Sequence, residues 1–404
     1  MIWRLAWRNA WRNPRRTGIV VMAVSAGIAG CLLAMALNFG MVTQMVDTAI
    51  ATDLGHLQVH APGFDENPEL ALRLADGGKA AARALERLPD VRAYAPRVRA
   101  QGLVHSTRAS VGVRIVAIEP AREAEVSLLA DSLVEGSWLG ETPRQALIGV
   151  ALARRLQVGV GGKIVVSVQD VAGDLTGQAY RVAGLFRTPS LELDQSSVFL
   201  RLEEGQHLLG LGAAVSEIVV IAKRRRAIPA LKAALMSELG EGAEVRTWEE
   251  LQPVLVYLVE SFDVQAWWVY GAVFIAMAFG IANVLLMAIY ERTREIGMLM
   301  AIGMKRLPIV AMVVTESLMV TLLGLAIGLA IALVGVFALR DGIDLSAFTE
   351  GLTTYGIGTR IVPILRPQDF SVPLAVAIAV AVLASLWPAV RAARTVPAEA
   401  LRHV

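Results

Sequence analysis

One cysteine, Cys31, stands in 404 residues, so no disulfide forms within the chain and no paired-cysteine zinc site exists. Charge is scarce too. Lys, Arg, Asp and Glu make up 18% of the residues, against about 25% in soluble domains. There are five histidines, and none sits in an HExxH pattern. No Gly-x-Ser-x-Gly elbow is present, so a serine hydrolase of that type has no support. Apolar residues are abundant, at 55%, and mean hydropathy is +0.55. This balance points to a membrane protein.

Two motifs invite chemistry and fail closer tests. Gly159-Val160-Gly161-Gly162-Lys163 resembles a phosphate loop. That loop needs glycine where Gln157 stands and Ser or Thr where Ile164 stands, so a glycine turn leading into a strand is expected instead. His56 and His60 are four apart, but the stretch around them alternates like a strand. Four strand residues span about 13 Å, too far for one metal ion, so surface histidines are expected.

Four apolar runs can cross a hydrocarbon core that needs about 20 residues: 17–40, 266–290, 307–339 and 371–390. The fourth is expected to end near Pro388. Lipid offers the backbone no partners, so each is read as a helix. The flanks carry arginine. Arg4, Arg8, Arg12, Arg15 and Arg16 precede the first run, Arg292, Arg294, Lys305 and Arg306 join the second and third, and Arg391, Arg394 and Arg402 follow the fourth. By the positive-inside rule 1–16, 291–306 and the 391–404 tail are cytoplasmic, while 41–265 and the 340–370 loop lie outside. The 41–265 segment carries 23 basic and 28 acidic residues, net −5, in agreement. Ile28-Ala29-Gly30-Cys31 mimics a lipoprotein-processing site. The apolar run is too long for a signal peptide, so an intact first span is expected.

Segment 41–265 mixes β-branched runs at 111–116, 163–168 and 216–221 with helix-forming stretches at 79–88, 150–156 and 227–239. An α+β domain is expected, in two lobes with a boundary near 120–145. Thr247 and Glu250 have capping-box spacing and predict a helix running on through Phe262 into the second span.

Three segments at the membrane edges form a recognisable set. They are Trp7-Arg8-Asn9-Ala10-Trp11-Arg12-Asn13-Pro14-Arg15-Arg16-Thr17, then Glu291-Arg292-Thr293-Arg294-Glu295-Ile296-Gly297-Met298-Leu299-Met300-Ala301-Ile302-Gly303-Met304, and Trp387-Pro388-Ala389-Val390-Arg391 on through Pro397 and Glu399 to Arg402. Together they resemble the FtsX-like permease family of ABC transporters, which includes lipoprotein-releasing and MacB-type permeases. The stretch Ile148–Leu156, leading into the glycine turn, resembles that family's periplasmic core domain.

The resemblance implies an α-helical membrane protein with four transmembrane helices and a large α+β extracytoplasmic domain between the first two. It implies paired permease subunits, the second a copy or a relative, around the dimer of a separate ABC ATPase that binds ATP and Mg. No cofactor is expected in this chain, no enzyme activity of its own, no fused ATPase and no nucleic-acid partner. The work implied is mechanotransmission, in which ATP use inside moves the domain outside. The location implied is the bacterial inner membrane, with both termini cytoplasmic and lipid as a neighbour. Lipoprotein release is the first function implied. Peptide or small-molecule efflux with a periplasmic adaptor is the alternative. Control of a cell-wall hydrolase is another.

The residues 291–306 are expected to form the coupling helix, with Glu291, Arg292, Arg294, Glu295, Ile296, Gly297, Met298, Ala301 and Gly303 at the ATPase contact; as a short amphipathic element they could equally be a solvated turn. Arg292 and Glu295, three apart, are expected to pair locally. Glu316 is the one charge within the spans, expected to face the bundle with Asn283, Thr315, Ser317 or Thr321 beside it. Gly324 and Gly328 form a small-xxx-small surface, within the subunit or between subunits.

Overall fold

A computed structural model describes residues 7–8, 11–65, 70–344 and 360–394. Residues 395–404, with the Pro397–Arg402 motif, lie outside the described residues. The chain divides into a membrane unit (up to Val42, Val259–Asp344 and from Arg360) and a domain unit around Thr43–Leu258.

Among the described residues four helices are long and apolar enough to cross a membrane. The first runs Pro14–Ala49, the second Pro253–Glu291, the third Arg306–Ala338 and the fourth Pro367–Ala393. Pro388 does not end the fourth helix, which continues through Ala393. In an apolar bundle the one lost backbone bond is tolerated, because neighbouring groups can satisfy the freed carbonyl.

Within the membrane unit, small residues bring backbones together. A Cβ on Gly324 would lie 2.8 Å from Val24 Cβ, and one on Gly328 would lie 2.7 Å from the Ser25 carbonyl oxygen. The Gly324–Gly328 surface therefore faces the first helix of the same chain. The fourth helix presents Ala377, Ala381 and Ala389, all fully buried, and the Ala381 carbonyl accepts from Ser317 Oγ at 3.5 Å.

The domain is built on one ten-stranded sheet. Its strands are β1 Leu57–His60, β2 Val91–His105, β3 Ser110–Ile118, β4 Leu133–Gly136 and β5 Gln145–Gly149. They continue as β6 Lys163–Gln169, β7 Leu175–Phe186, β8 Ser197–Arg201, β9 Glu217–Ala222 and β10 Glu244–Thr247. Following the pairings from β2 through β3, β8, β5, β7 and β6 returns to β2, so six strands close a ring. The long β2 also pairs β9, which carries β1 and then β10 as an open extension.

Alternation fills that ring. Val98, Ala100 and Val104 of β2, Val113, Ile115 and Ala117 of β3, and Ile164, Val166 and Val168 of β6 share one core. Their neighbours Leu103 and Val165 are exposed. Gly102 is required where β2 is hemmed by two partners, since a Cβ there would meet Ser167 O at 2.6 Å. A second core lies against the opposite face of β3, β5 and β8, where Val116, Leu147, Phe186 and Phe199 pack with Leu193.

The segment 120–145, where a boundary between lobes was expected, supplies β4 and runs into β5, both strands of the same sheet. Composition could not reveal that β2 and β7 each reach across the domain. The Gly159–Lys163 motif is a turn into β6, with Gly161 at φ +80° and Gly162 N–H donating to Gly159 O at 3.0 Å. Thr247 and Glu250 do form a capping box, but its helix spans only Trp248–Leu251, and Gln252 is non-helical before the long helix starts at Pro253. Pro253 cannot donate a backbone hydrogen bond and disfavours a helical conformation at the residue before it, so the helix restarts there.

His60 is a correction of another kind. It is 1% exposed, on a β1 strand whose two faces are both covered: Leu57 and Val59 join the domain core, and His60 on the other face packs against Phe64. Its Nε2 lies 2.8 Å from Gln58 Oε1 and 4.0 Å from Glu217 Oε2. Burial, with Arg99 nearby, lowers its pKa to about 4.

Two predictions follow from packing and burial. Gly328→Leu should destabilise the membrane unit by about 1–3 kcal/mol through overpacking, read as a lower unfolding temperature in detergent; an unchanged transition would refute the contact with the first helix. His60 is neutral when folded and has a lowered pKa, so its contribution is complete above pH 6.5 and fades as pH falls from 6.5 to about 4. That contribution is on the order of 3 kcal/mol. His60→Asn should flatten the stability-against-pH curve in this window relative to wild type, and parallel curves would place the acid sensitivity elsewhere.

Candidate functional site

The connection between the second and third membrane helices is itself helical, over Thr293–Ala301. Glu295 in its first turn suits the positive end of the helix dipole. Thr293 Oγ1 donates back to Ile289 O at 3.0 Å, tying this helix to the end of the preceding one. It stops in a Schellman motif, in which Met304 N–H donates to Leu299 O and Gly303 N–H to Met300 O, both at 3.0 Å. Gly303 takes φ +98°, a conformation that favours glycine, so its place in the motif has a local structural cause.

The helix has two unlike faces. Ile296 and Gly297 are buried, and Ile296 joins the core of the membrane unit with Ile289, Ile309 and Val313. Arg294, Met298, Ala301 and Ile302 fall three or four residues apart and are exposed, Ile302 by 80%. Lys305, Arg306 and Leu307 extend this surface. A cavity of about 260 Å³ adjoins the helix, walled by Leu285, Ile296, Arg292 and Glu316 and reaching Met298 and Ile302.

Ion pairs hold the helix from several directions. Arg12 grips Glu295 through both guanidinium Nη atoms, at 2.9 and 2.6 Å, from 283 residues away. Arg16 Nη1 donates to Glu291 Oε2 at 2.8 Å. Arg292 Nη1 lies 3.2 Å from Glu316 Oε2 and 3.3 Å from Oε1. The Glu295 carboxyl is held below its usual pKa chiefly by the hydrogen bonds from Arg12, and the Arg12 guanidinium is raised in return. Arg391 of the fourth helix lies over the rings of Tyr290 and Trp387.

This wiring corrects two expectations. Glu295 takes its close partner, Arg12, from far along the chain, while Arg292 reaches Glu316 and its charge still acts on Glu295. Asn283 is exposed and is not the neighbour of Glu316. Thr315 turns its hydroxyl to Ala311 O at 2.6 Å, and Ser317 turns to the fourth helix. Arg292 directly follows the last residue of the second helix, so Glu316 sits level with that helix end and away from the middle of the spans. Arg12 and Arg16 were legible only as orientation signals, since nothing in the sequence ties them to 291–295.

The fold and this junction define a class: a multi-pass membrane protein with a large α/β domain inserted after its first helix. Comparison with known proteins agrees. The MacB-like periplasmic core domain matches residues 17–238, more than half of the chain, and the FtsX-like permease C-terminal domain matches residues 268–397. The chain belongs to the FtsX-like permease family and is an ABC transporter permease of the LolC and MacB type.

The lipoprotein-releasing system transmembrane protein LolC of Neisseria meningitidis serogroup B is 23% identical over 337 residues, covering 80% of each chain. The macrolide export ATP-binding/permease protein MacB of Chlorobium luteolum is 27% identical over 208 residues, 52% of this chain. That match spans 27% of the MacB length. The crystal structure of the periplasmic region of MacB from Actinobacillus actinomycetemcomitans covers 52% of this chain and 97% of its own, at 12% identity and a TM-score of 0.37.

Arg292 and Glu316 are both buried, so each needs the other. Arg292→Leu alone should cost about 3–5 kcal/mol by leaving a carboxylate without its cation, and adding Glu316→Leu should recover most of the loss. Thermal unfolding of the purified variants checks this. A double variant no better than the single one would show that the pair is not the unit of stability.

Proposed function

We propose that this chain is the membrane subunit through which a partner ABC ATPase drives movement of the large domain. Thr293–Ala301 is the coupling helix and the arginine-bearing junction is cytoplasmic. The observation that carries the reading is the split character of that helix. Its inner face is packed and braced by Arg12–Glu295 and Arg292–Glu316, while Arg294, Met298, Ala301 and Ile302 form an unfilled apolar and cationic face. A helix presented in this way fits a groove that is apolar along its floor and acidic at its rim. Gathering residues 12–16, 291–306 and 391–394 in the cytoplasm of a bacterial inner membrane satisfies the positive-inside rule. The domain is then outside, where no nucleotide is available and force must arrive through helices.

Lipoprotein release is the cargo reading favoured, because the likeness to LolC runs through both membrane and domain parts and covers 80% of each chain. Export of a small molecule is the second reading, supported by the match to MacB over 208 residues. A second permease subunit completes the assembly in either case. Co-purified lipoproteins favour the first reading, and an adaptor with an outer-membrane channel favours the second.

Glu295→Ala and Gly297→Leu should each lower substrate-stimulated ATP hydrolysis by the complex about tenfold. Glu295→Ala should barely change stability, since an exposed ion pair is worth about 0–1 kcal/mol. Wild-type stimulation in both variants would remove the coupling helix from the mechanism.

A further inference from the structure

The two chain connections of the domain unit are built differently. The first enters as the end of the Pro14–Ala49 helix and widens into a π-helical turn over Ile50–Leu54. It stops at Gly55, with φ +63°, where a Cβ would lie 2.4 Å from Val219 Cγ1. Such turns are rare and gather at functional places.

Asp53 on this turn is held by three arginines from the sheet. Its carboxylate accepts from Arg99 Nη2 at 2.8 Å and from Arg114 Nη1 at 3.2 Å. Its main-chain oxygen accepts from Arg97 Nη1 at 2.7 Å. Arg97, 2% exposed, is fixed from behind by Glu123, which takes its Nε at 2.9 Å and its Nη2 at 2.7 Å. Arg99 Nη2 also lies 2.8 Å from Glu217 Oε1. Three cations thus meet three carboxylates drawn from the turn, the Pro120–Val126 helix and β9, and mutual pairing offsets the cost of burying them. Leu128 N–H donates to Ala51 O at 2.8 Å and pins the turn's backbone as well.

The second connection is held as well, but on the domain side of a break: Lys232 Nζ donates to Glu250 Oε1 and Oε2 at 2.5 and 2.6 Å. That four-residue helix, Trp248–Leu251, ends at Gln252, with φ −130° and ψ 70°, and the next helix begins with Val254 and Tyr257 exposed and Leu255 buried between them. One connection is clamped to strands β2, β3 and β9. The other contains a joint.

We infer that the first helix is the drive element of the domain, with Asp53, Arg99 and Arg114 as the positioning residues that pass its displacement into the sheet, while Gln252 lets the second helix follow without carrying force. This rests on the reading of the chain as an ATP-driven permease. A hydroxyl or amide in place of Asp53 could still touch one arginine, but it could not hold Arg99 and Arg114 together by charge. Arg114 is the more accessible test, because it is partly exposed and its ion pair is with Asp53.

The test uses the complex co-purified with its ATPase in nanodiscs, in a Cys31→Ser background. Fluorophores are placed at Leu175→Cys in the domain and Asp341→Cys beyond the third helix, both exposed positions. Energy transfer is compared without nucleotide and with ATP plus vanadate, together with the ATPase rate, so no cargo is needed. The expected result is a nucleotide-driven change that falls at least fivefold in Asp53→Asn and Arg114→Gln, returns in Arg114→Lys, and persists when two Gly-Ser units follow Gln252. ATPase rates should stay within twofold of the unmutated complex. A full change in Asp53→Asn and Arg114→Gln overturns the clamp and leaves the permease reading standing. Loss of ATPase, signal and thermal stability together, without rescue by Arg114→Lys, also overturns it, by making the cluster structural only. No change in the unmutated complex overturns the permease reading itself.

Discussion

Arg292 and Glu316 hold each other in surroundings where neither could be buried alone. Each is an ion inside an apolar bundle, and each carries a penalty that only a close opposite charge can offset. Their pairing fixes where the connecting helix lies against the third helix. The face containing Ile296 is thereby turned inward and the face containing Met298 outward. Arg12 and Arg16 add grips on Glu295 and Glu291 from the segment before the first helix. The junction is therefore shaped by charge at its edges and by small residues, Gly324 and Gly328, along the first and third helices.

The domain solves a different problem with related means. Its ring of six strands supplies a dry interior through simple alternation of Val, Ile and Ala. Its buried ions are concentrated where the chain arrives from the first helix. A domain that only needed stability could have used apolar residues there at less cost. Charge pairs are directional, and a directional grip suits a place where position has to be passed on.

Much of this was legible in the sequence because lipid imposes strong rules. Long uncharged runs gave the spans, and the edge motifs around Glu295 and Pro388 gave the family. The glycine turn before Lys163 and the strands at 111–116 and 163–168 followed from local preference. What escaped was long-range. Nothing local links Arg12 to Glu295 or Asp53 to Arg97, since such pairs depend on how helices and strands are brought together. His60 looked like a surface residue because alternation in β1 marks a half-buried strand, whereas here the face that carries His60 is covered too, by Phe64 and Glu217. The capping box at Thr247 was real, yet Pro253 two residues beyond its short helix set the actual start of the long one.

The most direct test of the central claim is photo-crosslinking from the outward face of the connecting helix. A photoreactive residue replacing Met298, activated in native membranes, should form its main adduct with a nucleotide-binding ATPase subunit, identified by peptide mass. Adducts only with lipid, or with proteins from the opposite side of the membrane, would contradict the assignment of that face to the ATPase and the orientation on which it depends.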